Sequence, residues 1–258
     1  MADVETVDVD GIPVSVTKPP AGTAGRDRLA LWLHYFTGTK EQMQPQLNVL
    51  AERGFVAVSL DAWRHGARAT RSMAELSPEV FGHFRRDMWP ILGQTTLDAM
   101  HVIDWALDRY QLAPDVVAGG ISMGGDTALA LAGADPRVSA VAALVATPDW
   151  TRPGMHRLDD PTLLIDQGAA TPHGQWLYDH LNPATHLGRY ARAPRIRFEL
   201  GGADTHVPPS GAVEFRAALA QRYPAAARAI TIRLAEGLGH LDAIDEPALT
   251  RALDWLSA

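Results

Sequence analysis

The sequence predicts an α/β protein, a mostly parallel sheet of about eight strands flanked by helices on both faces. Two observations carry this. Short, nearly unbroken apolar runs such as Leu29-Ala30-Leu31-Trp32-Leu33 and Phe55-Val56-Ala57-Val58-Ser59-Leu60 suit strands buried on both faces. Between such runs lie stretches of helical length and pattern, and the two kinds alternate along the chain.

The elements follow in order. Val4 to Val9 and Pro13 to Lys18 alternate apolar and polar residues around Asp10-Gly11, a tight-turn dipeptide, and so read as a hairpin. A Gly/Pro-rich loop leads to the strand at Leu29 to Leu33. A helix is expected over Gln42 to Arg53, stopped at Gly54, before the strand Phe55 to Leu60. Further strands are expected at Val116 to Ile121, Ala140 to Val145, Ile196 to Leu200 and Ile230 to Leu234. Helices are expected at Ile91 to Tyr110, Met123 to Ala134, Gly211 to Arg222 and Pro247 to Leu256.

Two segments break the rhythm. Ala62 to Pro90 is charged and aromatic, and Thr147 to Pro194 is proline-rich with Trp150, Trp176 and Tyr178. Segments this long between elements are usually functional or carry small helices of their own. Both should emerge near the carboxyl ends of strands, where open α/β sheets place their sites. No repeat or linker interrupts the chain, so residues 1–258 are expected to form one domain, with a possible cap-like insertion around 147–194.

Composition narrows the function classes. A chain of 258 residues that is 47% hydrophobic and 21% charged can bury a sizeable core. Its net charge of −7 argues against a sequence-independent grip on phosphate backbones, so no nucleic-acid partner is expected. The absence of cysteine removes disulfides, thiolate ligands and a cysteine nucleophile together. Early acids and the lack of a signal-like apolar core suggest a cytoplasmic location without a membrane partner. A monomer or homodimer acting on a small-molecule substrate is the expectation.

The decisive segment is Val116 to Gly125, VVAGGISMGG. Ser122 lies in Gly120-Ile121-Ser122-Met123-Gly124, a G-x-S-x-G motif with an apolar strand before it and an alanine-rich helix after it. Such a strand must turn sharply into the helix, with the serine strained at the apex and small residues on either side. The Met123 N–H then points toward a developing oxyanion at the helix N-terminus. A plain Gly/Ser turn is the competing reading.

A serine hydroxyl needs a base, and the chain order that accompanies this elbow is serine, acid, histidine. Of ten histidines only His206 and His240 follow Ile196. His240, in a glycine-containing loop after the last strand, fits the base; His206 reads as a supporting or surface residue. Asp204 is the first carboxylate after the strand ending at Leu200 and fits the acid. Asp242 and Asp245 are rivals that suit helix N-terminal carboxylates better. The second oxyanion donor should come from His34-Tyr35-Phe36-Thr37-Gly38, with the Phe36 N–H as the candidate.

On these residues the chain resembles the α/β-hydrolase superfamily across nearly its whole length. More narrowly it resembles small bacterial esterases of the dienelactone-hydrolase and prolyl-oligopeptidase-like branch. HYFTG after the third strand, DAWRHGAR after the fourth and GGISMGG carry the narrower resemblance. That branch usually has H-G-x-x-G in the first of these loops, so Tyr35 is a departure that could wall the acyl site. The resemblance implies that the Asp61 to Arg68 loop packs beside the elbow. Asp61 and His65 would order it, and Arg64 or Arg68 would be either structural ion pairs or substrate anchors. Trp63, Arg64, Trp176 and Tyr35 are the substrate-binding candidates. No metal or phosphate-loop motif is present, and no cofactor is expected. The expected function is a carboxylesterase-like serine hydrolase. The alternatives are a lyase, cyclase or acyltransferase on the same fold, or a small-molecule-binding protein.

Overall fold

A computed structural model describes residues 3–23 and 27–258. The chain opens with β1 (Asp3–Val9) and β2 (Ile12–Lys18), an antiparallel hairpin in which Val9 pairs with Ile12. Asp10 (φ 52°) and Gly11 (φ 85°) both take the left-handed conformation that a two-residue turn of this hand requires. Next come β3 (Arg28–Leu33), α1 (Gln44–Glu52), β4 (Phe55–Leu60), α2 (Met73–Gly82), α3 (Phe84–Tyr110), β5 (Val116–Ile121), α4 (Met123–Ala134) and β6 (Val138–Leu144). The chain ends with α5 (Pro172–Leu181), β7 (Arg195–Gly201), α6 (Ser210–Arg222), α7 (Pro224–Arg228), β8 (Ile230–Ala235) and α8 (Glu246–Ser257).

The eight strands form one sheet in the order β1-β2-β4-β3-β5-β6-β7-β8. The β1/β2 and β2/β4 pairs are antiparallel and every later pair is parallel. Alternate residues of the same strands feed two cores. Leu29, Leu31 and Leu33 pack with Ala99, Val102 and Leu129 on the face covered by α3, α4 and α6. Ala30 and Trp32 pack with Leu47, Ala252 and Leu256 on the face covered by α1 and α8. Burial on both faces is why these strands are apolar without alternation.

The helix starting at Met123 and the strands β4 and β5 match the expectation from sequence to the residue. The departures lie in the long segments. The Ala62 to Pro90 stretch contains α2, opened by a capping box between Ser72 and Glu75. It also contains the first turns of α3, which begins at Phe84 and carries Pro90 near its start. Proline lacks only one helix hydrogen bond there, and burial of Phe84, Met88 and Trp89 outweighs that loss. The segment 147–194 contains α5, packed on α3, and a short antiparallel bridge between His156 and Leu164. Among the described residues no helix is long and apolar enough to cross a membrane.

Candidate active site

Strands β3 and β5 are neighbours whose connections leave toward opposite sides of the sheet, so a crevice opens at their carboxyl ends. Ser122 stands there, between β5 and α4, with φ 51° and ψ −116°. A non-glycine residue held in that region stores strain that surrounding contacts must enforce. The Ser122 N–H donates to the Leu144 carbonyl at 2.8 Å, and the Ser122 carbonyl accepts from Asp126 N–H at 2.9 Å. The flanking glycines are required by space. A Cβ on Gly120 would lie 2.5 Å from the Gly124 carbonyl carbon, and one on Gly124 would lie 2.3 Å from the Leu33 carbonyl oxygen.

Three buried side chains then line up. His240, in the loop between β8 and α8, places Nε2 3.1 Å from Ser122 Oγ. Its Nδ1–H donates to Asp204 Oδ2 at 2.7 Å. The other oxygen, Asp204 Oδ1, accepts from the N–H groups of His206 (2.9 Å) and Val207 (2.8 Å), so the carboxylate cannot rotate. The rivals sit elsewhere. Asp245 caps α8 by accepting from Ala248 N–H at 2.7 Å, and Asp242 is exposed.

Opposite the serine lies the loop after β3. Neither the Phe36 nor the Met123 N–H has a hydrogen-bond partner among the described residues. Met123 is the first residue of α4, where unpaired N–H groups and the helix dipole favour negative charge. His34 anchors the loop: its Nδ1–H donates to the Tyr35 carbonyl (2.8 Å), and its Nε2 accepts from Ala62 N–H (3.0 Å). Buried Asp61 ties the same loop to the next one, accepting from Lys40 N–H (3.0 Å), Lys40 Nζ (2.9 Å) and Ala67 N–H (2.9 Å). His65 donates Nδ1–H to the Trp63 carbonyl and meets the Phe36 ring edge-on at 5.2 Å. Burial pushes His65 down to about 4, so it stays neutral.

Beside the triad opens a cleft of about 520 Å³ lined by Ser77, Pro78, Phe81, Arg157, Leu158, Asp159, Ile165, His206 and Leu241. None of the four substrate candidates from sequence is among these residues. Tyr35 packs with the core on the α1/α8 side of the sheet, whereas Phe36 packs with Met123 and Trp89 on the other; adjacent residues of an extended chain diverge this way. Arg64 spends its guanidinium on Asp87 and Glu79, both at 3.2 Å. Trp63 lies under the Arg68 guanidinium, 4.9 Å from its ring centre. Trp176, half exposed on α5, stacks on His180 at 4.2 Å.

One residue beside the site escaped the sequence reading, and another is placed more closely than expected. Asp126, one turn after Ser122 and fully buried, accepts from Thr147 N–H at 2.7 Å and pairs with buried Arg152. Burial pushes the Asp126 carboxyl upward and the Arg152 guanidinium opposes that shift. The pair fastens the 147–194 segment to the elbow helix. An aspartate inside the apolar stretch MGGDTALALA was the available signal, since a buried carboxylate requires a partner. His206, read from sequence as a supporting or surface residue, is not at the surface: it is buried, and its ring meets that of His240 edge-on at 5.1 Å.

An eight-stranded, mostly parallel sheet with a strained serine at the strand–helix elbow and a Ser–His–Asp line defines an α/β-hydrolase. Residues 81–255 match the prolyl oligopeptidase family, and the chain belongs to that family of serine hydrolases. The Bacillus subtilis protein YitV, provisionally named an esterase, is 28% identical over 161 residues, which span 62% of this chain and 60% of YitV. Among solved structures, TT1662 from Thermus thermophilus superimposes with a TM-score of 0.73 at 25% identity, covering 100% of this chain and 99% of its own. A Klebsiella pneumoniae protein provisionally named a dienelactone hydrolase shares the fold, with a TM-score of 0.67 at 15% identity, covering 100% of this chain and 98% of its own.

Proposed function

We propose that the chain is a carboxylesterase-like serine hydrolase acting on small or medium esters, with Ser122 as nucleophile, His240 as base and Asp204 as the orienting acid. The line Ser122 Oγ···His240 Nε2 (3.1 Å) and His240 Nδ1···Asp204 Oδ2 (2.7 Å) is the observation that carries it. Ser122 Oγ attacks the ester carbonyl while His240 Nε2 takes its proton. The Phe36 and Met123 N–H groups receive the oxyanion. His240 returns the proton to the leaving alkoxide, and a water activated by the same nitrogen releases the acid from the acyl-enzyme. The segment 147–194 serves as a partial cap over this site. The cleft of about 520 Å³ lies within the ordinary range for small-molecule sites.

A fluorophosphonate probe and a panel of short acyl esters test this reading, with dipeptide anilides as a comparison arm. Wild type should be labelled and should turn over esters. Ser122→Ala should lose labelling and several orders of magnitude of turnover. Near-normal activity in Ser122→Ala would overturn the acyl-enzyme mechanism, and turnover confined to the anilides would make the protein a peptidase.

A further inference from the structure

The acyl-transfer chemistry leaves His206 without a task, yet the fold fixes this residue firmly beside the triad. Its own N–H is held by Asp204 Oδ1 (2.9 Å), so the triad acid sets where the ring begins. Its Nδ1 lies 2.9 Å from the His156 carbonyl oxygen. A carbonyl oxygen only accepts, so Nδ1 carries the hydrogen and Nε2 carries the lone pair. In return, the His156 N–H donates to the Thr205 carbonyl at 2.8 Å. The 147–194 segment and the Asp204 loop therefore hold each other through two hydrogen bonds on neighbouring residues. The ring edge meets Phe81 at 5.3 Å and His240 at 5.1 Å.

Nε2 has no donor among the described side chains and main chain, and the ring borders the cleft. Burial and the nearby Arg152 and His240 charges hold the imidazole down to about 4. At ordinary pH it can offer only an acceptor. Around it the cleft is mainly apolar, formed by Pro78, Phe81, Leu158, Ile165 and Leu241, with Ser77 the other uncharged polar residue in its wall. Its two charged members, Arg157 and Asp159, neutralise each other in a two-point pair at 2.9 and 2.7 Å. Nothing there selects a charged ligand.

We propose that His206 Nε2 is a specificity-determining acceptor, taking a hydrogen bond from a hydroxyl or amide N–H on the uncharged, otherwise apolar substrate group that fills the cleft. This rests on the esterase reading for the chemistry of the scissile bond but not for the binding preference. A buried site built around an unpaired acceptor discriminates against analogues that lack the donor, because its lone pair then stays unsatisfied.

The test separates the two readings by using ligands that cannot be hydrolysed. Phenylalkyl methyl ketones, each bearing one hydroxyl at a different ring or chain position, are titrated against the protein alongside their methyl ethers. Wild type should bind at least one hydroxyl isomer about tenfold more tightly than its ether, the size of one well-made neutral hydrogen bond. In His206→Phe the two affinities should converge. In His206→Gln, whose Oε1 can accept, part of the preference should return. Equal or undetectable binding for every matched pair in wild type overturns the proposal, as does a preference that survives in a folded His206→Phe. Failure of wild type to react with the fluorophosphonate probe would sink the esterase reading alone, since the ketone titrations do not depend on it.

Discussion

Gly124 and Leu33 approach so closely that a Cβ on Gly124 would stand 2.3 Å from the Leu33 carbonyl oxygen and 2.6 Å from that of His34. The start of the elbow helix therefore leans directly on the loop that carries the Phe36 N–H. Both obstacles are backbone, so neither can swing aside. Gly124→Ala should cost about 1–3 kcal/mol or more as overpacking and should also pull the Met123 and Phe36 donors apart. Urea denaturation and ester turnover read the two effects. Gly82→Ala is the control: nothing lies within 4 Å of its added Cβ, and alanine in α2 should be neutral or stabilising by up to about 1 kcal/mol.

Asp204→Asn should preserve the fold and lower kcat by about 10⁴, because an amide can present the wrong partner to His240 Nδ1 and gives no charge to support its imidazolium. Asp245→Asn should do little, since asparagine caps a helix as well as aspartate does. Turnover of wild type, Asp204→Asn, Asp242→Asn and Asp245→Asn on one ester decides the acid. Greater damage from Asp245→Asn or Asp242→Asn would overturn the assignment.

Arg152→Ala should destabilise the protein by about 3–5 kcal/mol, since it strands the Asp126 carboxylate in a fully buried position. Replacing both partners with apolar residues of similar volume should recover most of that loss. The comparison of single and double variants in denaturant is the measurement. A double variant as unstable as the single would mean that the pair's cost lies in lost shape.

Stability should fall as pH drops from about 6.5 to 4. His65 and His206 sit near 4 in the folded protein, and His34 is lowered in the same direction, each by burial. Unfolded histidine titrates near ~6.5, so across that window the unfolded chain binds more protons and acid favours it. Each of the two contributes on the order of a few kcal/mol at pH 4, and nothing is lost above about pH 7. Unfolding free energies at pH 7.5 and 4.5 should differ markedly in wild type and less in the His65→Gln/His206→Gln variant. An identical pH slope in both would contradict the buried neutral state.

Much of the site was legible in sequence because its constraints are local. The elbow needs glycine at 120 and 124 wherever a strand turns into a helix around an exposed serine, and a motif records that within five residues. Chain order then left few histidines and carboxylates to choose from. Strands β4 and β5 were readable for a similar reason, since burial on both faces leaves an apolar run with sharp ends.

Long-range packing decided the rest. Nothing in the sequence around residue 35 says which side of the sheet the side chain takes; the pairing of β3 with β4 and β5 sends Tyr35 toward α1 and α8 and Phe36 toward the core cluster that holds Trp89 and Met123. Arg64 reads as either a structural ion pair or a substrate anchor until α2 and α3 bring Glu79 and Asp87 to it. His206 reads only as a supporting or surface residue until the 147–194 segment folds back and sets the His156 carbonyl against Nδ1, which fixes the tautomer and turns the remaining nitrogen into an acceptor. A motif encodes what neighbouring residues must do to one another, whereas a side chain's partner fifty residues away is fixed only when the sheet and its insertions close around it.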